Sequence, residues 1–135
     1  MNTGASGALD PNSQQAHNHA ELYYEGIRRR KGDVARIANN TGFSEDDVRA
    51  VKNHVFIENH DFIDGRNERF APDFDQSQAW QRLEAGTFTD DDITFLNHEL
   101  VELNYMLSGD VYEIAHEKAN AKYNWQDLIS KSREV

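Results

Sequence analysis

The stretch that decides the fold is residues 88–109, FTDDDITFLNHELVELNYMLSG. Ile93, Leu96, Leu100, Leu103 and Leu107 recur at three- and four-residue steps, the spacing of one apolar helix face. Thr89 stands where an N-cap oxygen is wanted, and Asp92 follows at the third helical position. Phe88 and Ile93 flank them as a hydrophobic staple, and Ser108-Gly109 breaks the pattern. His98 and Glu102 lie one turn apart at the border of the leucine stripe, so both face the same side. Glu99 is expected to lean away from that stripe.

The same capping grammar recurs upstream, with Ser44 as N-cap, Asp47 at the third position and Phe43 stapled to Val48. Together with Val34, Ile37, Ala38 and Gly42 it gives helix-turn-helix spacing, with the glycine at a turn that needs positive φ. A DNA-reading helix would present Ser44-Glu45-Asp46-Asp47 to the groove, and three carboxylates repel phosphate. The spacing therefore argues for two packed helices rather than a DNA reader.

Working outward, Leu22, Tyr23 and Ile27 predict a helix from about Ala20, ending in the basic run Arg28–Lys31 and closed by Gly32. Pro72 and Asp73 open another helix that Gly86 ends. Asp110 with Glu113 reads as a cap pair for a helix to about Tyr123, and Trp125, Leu128 and Ile129 form a last apolar turn. Residues 57–72, IENHDFIDGRNERFAP, do not read as helix. Asp64-Gly65 is a tight-turn dipeptide, so residues 61–70 form either a small two-stranded ribbon or a long ordered loop. Residues 1–19 are Gly-, Ser-, Asn- and Gln-rich with one leucine, which predicts a disordered tail or linker ahead of a single helical domain over 20–135.

The 135 residues suit one domain with one core. No apolar run approaches a membrane span, and the first residues lack the apolar stretch of a signal peptide. The absence of cysteine excludes disulfides, thiolate metal sites and cysteine nucleophiles. The net charge of −10 disfavours broad contact with nucleic acid or anionic membrane. The charge is uneven: residues 21–71 hold ten acids and nine bases, whereas residues 72–135 hold thirteen acids and five bases. A phosphate-facing surface belongs in the first half.

Three constellations carry chemistry. His98-Glu99-Leu100-Val101-Glu102 departs by one residue from the His-Glu-x-x-His of zinc peptidases, because Glu102 replaces the second histidine. His98 and Glu102 remain capable of sharing a divalent metal, with His116 as a third ligand; the alternative is an ordinary ion pair one turn apart. Around the long loop, His54, His60 and Arg69 supply an acid, a base and an anion stabiliser for cleaving a phosphodiester; the alternative is a polar loop whose histidines satisfy helix ends. His116 between Tyr112 and Tyr123 also reads as core packing around a satisfied imidazole.

Four fragments read together carry a resemblance: IANNTGFSEDDVRAVKNHVF, RFAPDFDQSQAWQRL, LNHELVELNYM and AHEKANAKYNW. In this order they resemble a C-terminal domain of bacterial polymorphic toxins, found also on phage minor head proteins that carry toxin-like tips. The resemblance covers about residues 20–126, and the matching positions are His54, Arg69, Phe70, Trp80, His98, Glu99, Glu102, His116 and Tyr123. It implies a toxin module made in a bacterial cytoplasm, delivered to a target cell and paired with an immunity protein.

The sequence thus predicts an all-α bundle of five to six helices with a helix-turn-helix-like hairpin. The expected function is a hydrolase toxin acting on nucleic acid, through His54, His60, Arg69, His98 and Glu102. The other readings are a non-catalytic phage or scaffold module that binds protein and, third, a helix-turn-helix DNA binder.

Overall fold

The computed structural model describes residues 14–133. The fold is all-α with one small hairpin. Its elements are α1 (Gln14–Arg29), α2 (Asp33–Thr41), α3 (Glu45–Lys52) with a π-helical turn (Asn53–Ile57), β1 (Asn59–Asp61), β2 (Asn67–Arg69), α4 (Phe74–Ala85), α5 (Asp90–Leu107), α6 (Tyr112–Lys122) and α7 (Trp125–Arg133). The seven helices among the described residues exceed the five or six expected, because the last apolar turn extends into a nine-residue helix, α7. None is long and apolar enough to cross a membrane.

The cap signals set the helix boundaries. The Ser44 hydroxyl accepts from the Asp47 N–H at 3.1 Å, and the Asp73 carboxylate accepts from the Gln76 N–H at 2.9 Å. Thr89 and Asp92 form a capping box, in which the Asp92 carboxylate accepts from the Thr89 N–H at 3.1 Å. Gly42 ends α2 with φ +83°, a conformation that lets its N–H reach the Ala38 carbonyl and that a side chain would strain. The chain then turns directly into α3. The hairpin pairs β1 and β2 antiparallel, with His60 opposite Glu68 and Gly65 at φ +92° in the turn. Its strands thus begin two residues earlier than the ribbon expected at 61–70.

α5 runs through the middle of the molecule and packs against α3 and its π-turn, α4, α6 and α7. The core gathers Tyr24, Ile37, Val51, Phe56, Trp80, Leu83, Phe95, Leu96 and Trp125 around it. This central position overturns two expectations. Leu107, placed on the buried stripe, is 81% exposed at the end of the helix. Glu99, expected to lean away, is 2% exposed. A helix covered on several sides buries more than one arc, so its leucines mark only part of the interior.

Other differences have equally local causes. α1 starts at Gln14, so residues 14–19 of the expected tail are helical; Ala16 and Ala20 bury themselves against Phe74 and hold the first turns down. Residues 1–13 lie outside the described residues. α1 ends at Arg29 rather than at Gly32, which instead precedes α2 with φ +88°. Two members of the basic run make contacts within the fold, Arg28 donating to the Phe56 carbonyl and Arg30, together with Arg36, binding Glu84, while Arg29 stays exposed. Asp110 and Glu113 do not cap α6, whose N-cap is Val111; Asp110 accepts from Lys118, and Glu113 accepts the Ile63 N–H of the hairpin turn at 2.7 Å.

Candidate functional site

Three separate elements deliver imidazoles to one carboxylate. His54 comes from the π-turn, His98 and Glu102 from α5, and His116 from α6. Inside the turn the Glu58 N–H bonds back five residues to the Asn53 carbonyl at 2.8 Å. The wider turn buries three consecutive residues, His54, Val55 and Phe56, and points the His54 ring at α5. Such one-turn π segments recur at functional sites.

The geometry is tight. His54 Nε2 lies 2.7 Å from Glu102 Oε1, His98 Nε2 lies 3.2 Å from Glu102 Oε2, and His116 Nδ1 lies 2.8 Å from Glu102 Oε2. Glu99 completes the group, 3.8 Å from His54 Nε2 and 3.6 Å from His98 Nε2. His54, His98, Glu99 and Glu102 are buried, and only His116 is substantially open, at 35%. His98 Nδ1 sits 2.9 Å from the Tyr123 carbonyl, which can only accept, so that nitrogen carries a hydrogen. Two ligand-like triads share Glu102: His98, Glu102 and His116, and His54, Glu99 and Glu102, the donor atoms of each lying within 4.8 Å of one another.

The environment pushes the two glutamates apart. Burial by itself would raise the Glu102 carboxyl, but hydrogen bonds from His116, His54 and His98 outweigh it and hold Glu102 well below the usual carboxylate range. Burial raises Glu99 well above that range, and the neighbouring charge of Glu102 adds to the effect. A pair so divided matches the pattern by which sites assign an acid and a base to like residues.

Two cavities meet the cluster. One, of about 460 Å³, is lined by Arg69, Phe70, Glu99, Glu102, Tyr112 and His116. The other, of about 670 Å³, lies on the His54 side, with Glu58, His60, Leu103 and Met106 in its wall. Phe70 and Tyr112, with ring centroids 4.9 Å apart, form an aromatic wall beside His116.

Of the residues singled out in the sequence, His54, His98, Glu102 and His116 converge. His60 stands behind them. Its Nε2–H donates to the His54 carbonyl at 2.6 Å and its ring stacks on Phe70 at 4.1 Å. Burial, then the neighbouring His54, lower its pKa, so it holds the π-turn as a neutral ring. Arg69 is exposed at the rim of the smaller cavity, where its Nε donates to the Ile57 carbonyl at 2.8 Å. Glu99 and Tyr112 are the members that residue spacing missed. A signal for Glu99 was present in the His-Glu-x-x-Glu order, since in such a helix the glutamate after the first histidine turns toward the site.

No family model matches the chain, and no curated protein or solved structure matches it.

Proposed function

We propose that the chain is a hydrolase domain of the bacterial toxin type, acting on the phosphodiester backbone of nucleic acid. The observation that carries this reading is the convergence of His54, His98 and His116 on the buried Glu102 at the floor of a cleft rimmed by Arg69. Folding gains little from such a group, because buried charge and polar atoms cost free energy that apolar residues would not. In the proposed reaction water adds its oxygen to phosphorus while an imidazole or carboxylate of the cluster takes the proton. The P–O bond to the leaving oxygen breaks, and that oxygen receives a proton from the opposite member. His116 is the ring open to the cleft, and the Arg69 guanidinium meets the anionic phosphate. The aromatic wall of Phe70 and Tyr112 offers a surface on which a base can stack.

The resemblance over residues 20–126 supplies the biological setting within this proposal: a polymorphic-toxin effector delivered into a competing bacterium and restrained by an immunity protein. A helix-turn-helix DNA reader is the weaker reading, since α3 starts with Glu45, Asp46 and Asp47 and buries Lys52. The test is induced expression in a bacterial host, wild type against His116→Ala, with total RNA and plasmid DNA followed on gels. Growth arrest with nucleic-acid breakdown, lost in a folded variant, is the expected result. Intact RNA and DNA under wild-type expression, and with purified protein supplied with divalent metal, would overturn the reading.

A further inference from the structure

We propose that the cluster binds one divalent transition-metal ion, held by His98 Nε2, His116 Nδ1 and Glu102 Oε2, with His54 on the other oxygen of that carboxylate and Glu99 beside it. This rests on taking the cluster as the functional centre, as above, and adds the ion that this donor set selects.

Hydrogen counting carries the inference. Three ring nitrogens approach Glu102 at 2.7, 3.2 and 2.8 Å, and a carboxylate only accepts. Without a cation, each of these contacts needs a hydrogen between nitrogen and oxygen. His98 already spends its Nδ1–H on the Tyr123 carbonyl at 2.9 Å. A neutral His98 therefore turns a bare Nε2 lone pair toward an oxygen lone pair, and without a metal only a second proton, giving an imidazolium on a side chain 4% exposed, lets Nε2 donate to Glu102. A metal ion meets the same need without that buried imidazolium, because the lone pairs of His98 Nε2, His116 Nδ1 and Glu102 Oε2 then point at a positive charge. The Nδ1–H to carbonyl bond is the support that metal-binding histidines commonly have, fixing both tautomer and ring orientation. A dication also offsets the carboxylate charge that the fold holds out of water.

The spacing agrees. Metal–nitrogen bonds of roughly 2.0–2.1 Å in a tetrahedral site put neighbouring ligand atoms about 3.3 Å apart. The contacts to Glu102 Oε2, 3.2 Å from His98 and 2.8 Å from His116, are slightly contracted from that value, and the donor atoms of this triad fall within 4.8 Å of one another. Two imidazoles and a carboxylate favour borderline ions such as zinc or cobalt over magnesium, which prefers oxygen ligands and water. His116, on the cleft side, leaves the ion facing the cavity that Arg69 rims.

The experiment titrates metal-stripped full-length protein with Zn²⁺ and with Co²⁺ by calorimetry, with Mg²⁺ as control, and records the visible Co²⁺ spectrum. One Zn²⁺ or Co²⁺ per chain is expected, with cobalt bands of a nitrogen-rich low-coordinate site. Loss of a ligand in His98→Ala, His116→Ala or Glu102→Gln should weaken affinity by at least about 100-fold, beyond the range seen when only supporting groups around a metal are changed. His116→Ala guards against a buried variant that fails to fold. His17→Ala with His19→Ala should leave binding unchanged, which rules out capture by the histidines of α1. Absence of binding, binding insensitive to the three cluster variants, or two ions per chain would overturn the assignment. Tight binding with no cleavage of RNA or DNA would uphold the metal centre and remove the nucleic-acid reading. Cleavage by metal-free protein would do the reverse.

Discussion

Among the described residues, two buried clusters of ionisable side chains are built on opposite principles. In the first, Lys52 Nζ lies 2.9 Å from Asp33 Oδ1 and donates also to the Arg30 carbonyl at 3.0 Å. The Trp80 indole N–H reaches the other Asp33 oxygen at 3.1 Å. One cation meets one anion, and each remaining hydrogen-bonding group that these contacts involve has a partner of the right kind. The second cluster sets two carboxylates among three imidazoles, asks both nitrogens of His98 for a hydrogen unless a metal ion takes Nε2, and touches two cavities. Burial alone therefore does not distinguish a site from a strut. What marks the second cluster as the candidate site is the demand it places on both nitrogens of His98, together with its access from solvent.

The largest effect that tests this comparison is at the first cluster. Lys52→Ala leaves the Asp33 carboxylate, 1% exposed, without its cation, and breaking a buried pair from one side costs about 3–5 kcal/mol. Urea denaturation should show this loss, and adding Asp33→Asn should recover part of it. A loss under about 1 kcal/mol would mean that the pair is not the strut described here.

The strut and the site also differ in how far the sequence reveals them. Helix ends are legible because their causes are local: Ser44 with Asp47, Asp73 with Gln76, and Thr89 with Asp92 each sit three residues apart. The same locality makes His98 with Glu102 legible as a pair on one face. What joins them is not local. His54 meets Glu102 across 48 residues, and a π-turn, which no periodicity announces, aims it there. Glu99 was misjudged because a leucine stripe was read as the whole buried face, whereas α5 is covered by α3, α4, α6 and α7. Nothing local in the sequence marks Lys52 as buried; Asp33 of α2 and the Arg30 carbonyl, which receive its ammonium group, make it part of the interior.

A third ionic group lies between the two extremes and gives a smaller effect. Glu84, 8% exposed, is held by Arg30 and Arg36, both about half exposed. Burial alone would raise its carboxyl, but the guanidinium hydrogen bonds win and hold it below the usual range. A carboxyl depressed on folding adds stability that is present above its unfolded value, about 4.3, and is lost as pH falls through the folded value. Glu84→Gln should therefore cost about 1 kcal/mol at neutral pH, a figure reduced for the exposure of both arginines. The gap between wild type and variant should close below about pH 4. A gap that persists unchanged into acid would place the effect in packing rather than charge.

The smallest expected change in stability belongs to the site itself. His116 donates to a carboxylate that His54 and His98 also serve, and its ring is 35% exposed. Removing it leaves Glu102 with two imidazoles and opens a space that water can enter from the cleft. His116→Ala should therefore lower stability by no more than about 1 kcal/mol, the worth of one ordinary hydrogen bond. On the proposed reading the same variant should lose metal affinity and growth inhibition, because His116 is one of the three proposed ligands. Chemical denaturation of metal-free protein, read beside cobalt binding and toxicity, separates the two quantities. A fall of 3 kcal/mol or more, the range that follows from breaking a buried pair, would make the second cluster another strut and erase the contrast with Asp33 and Lys52. An unchanged midpoint with lost binding would show that the fold carries His116 for chemistry and not for stability.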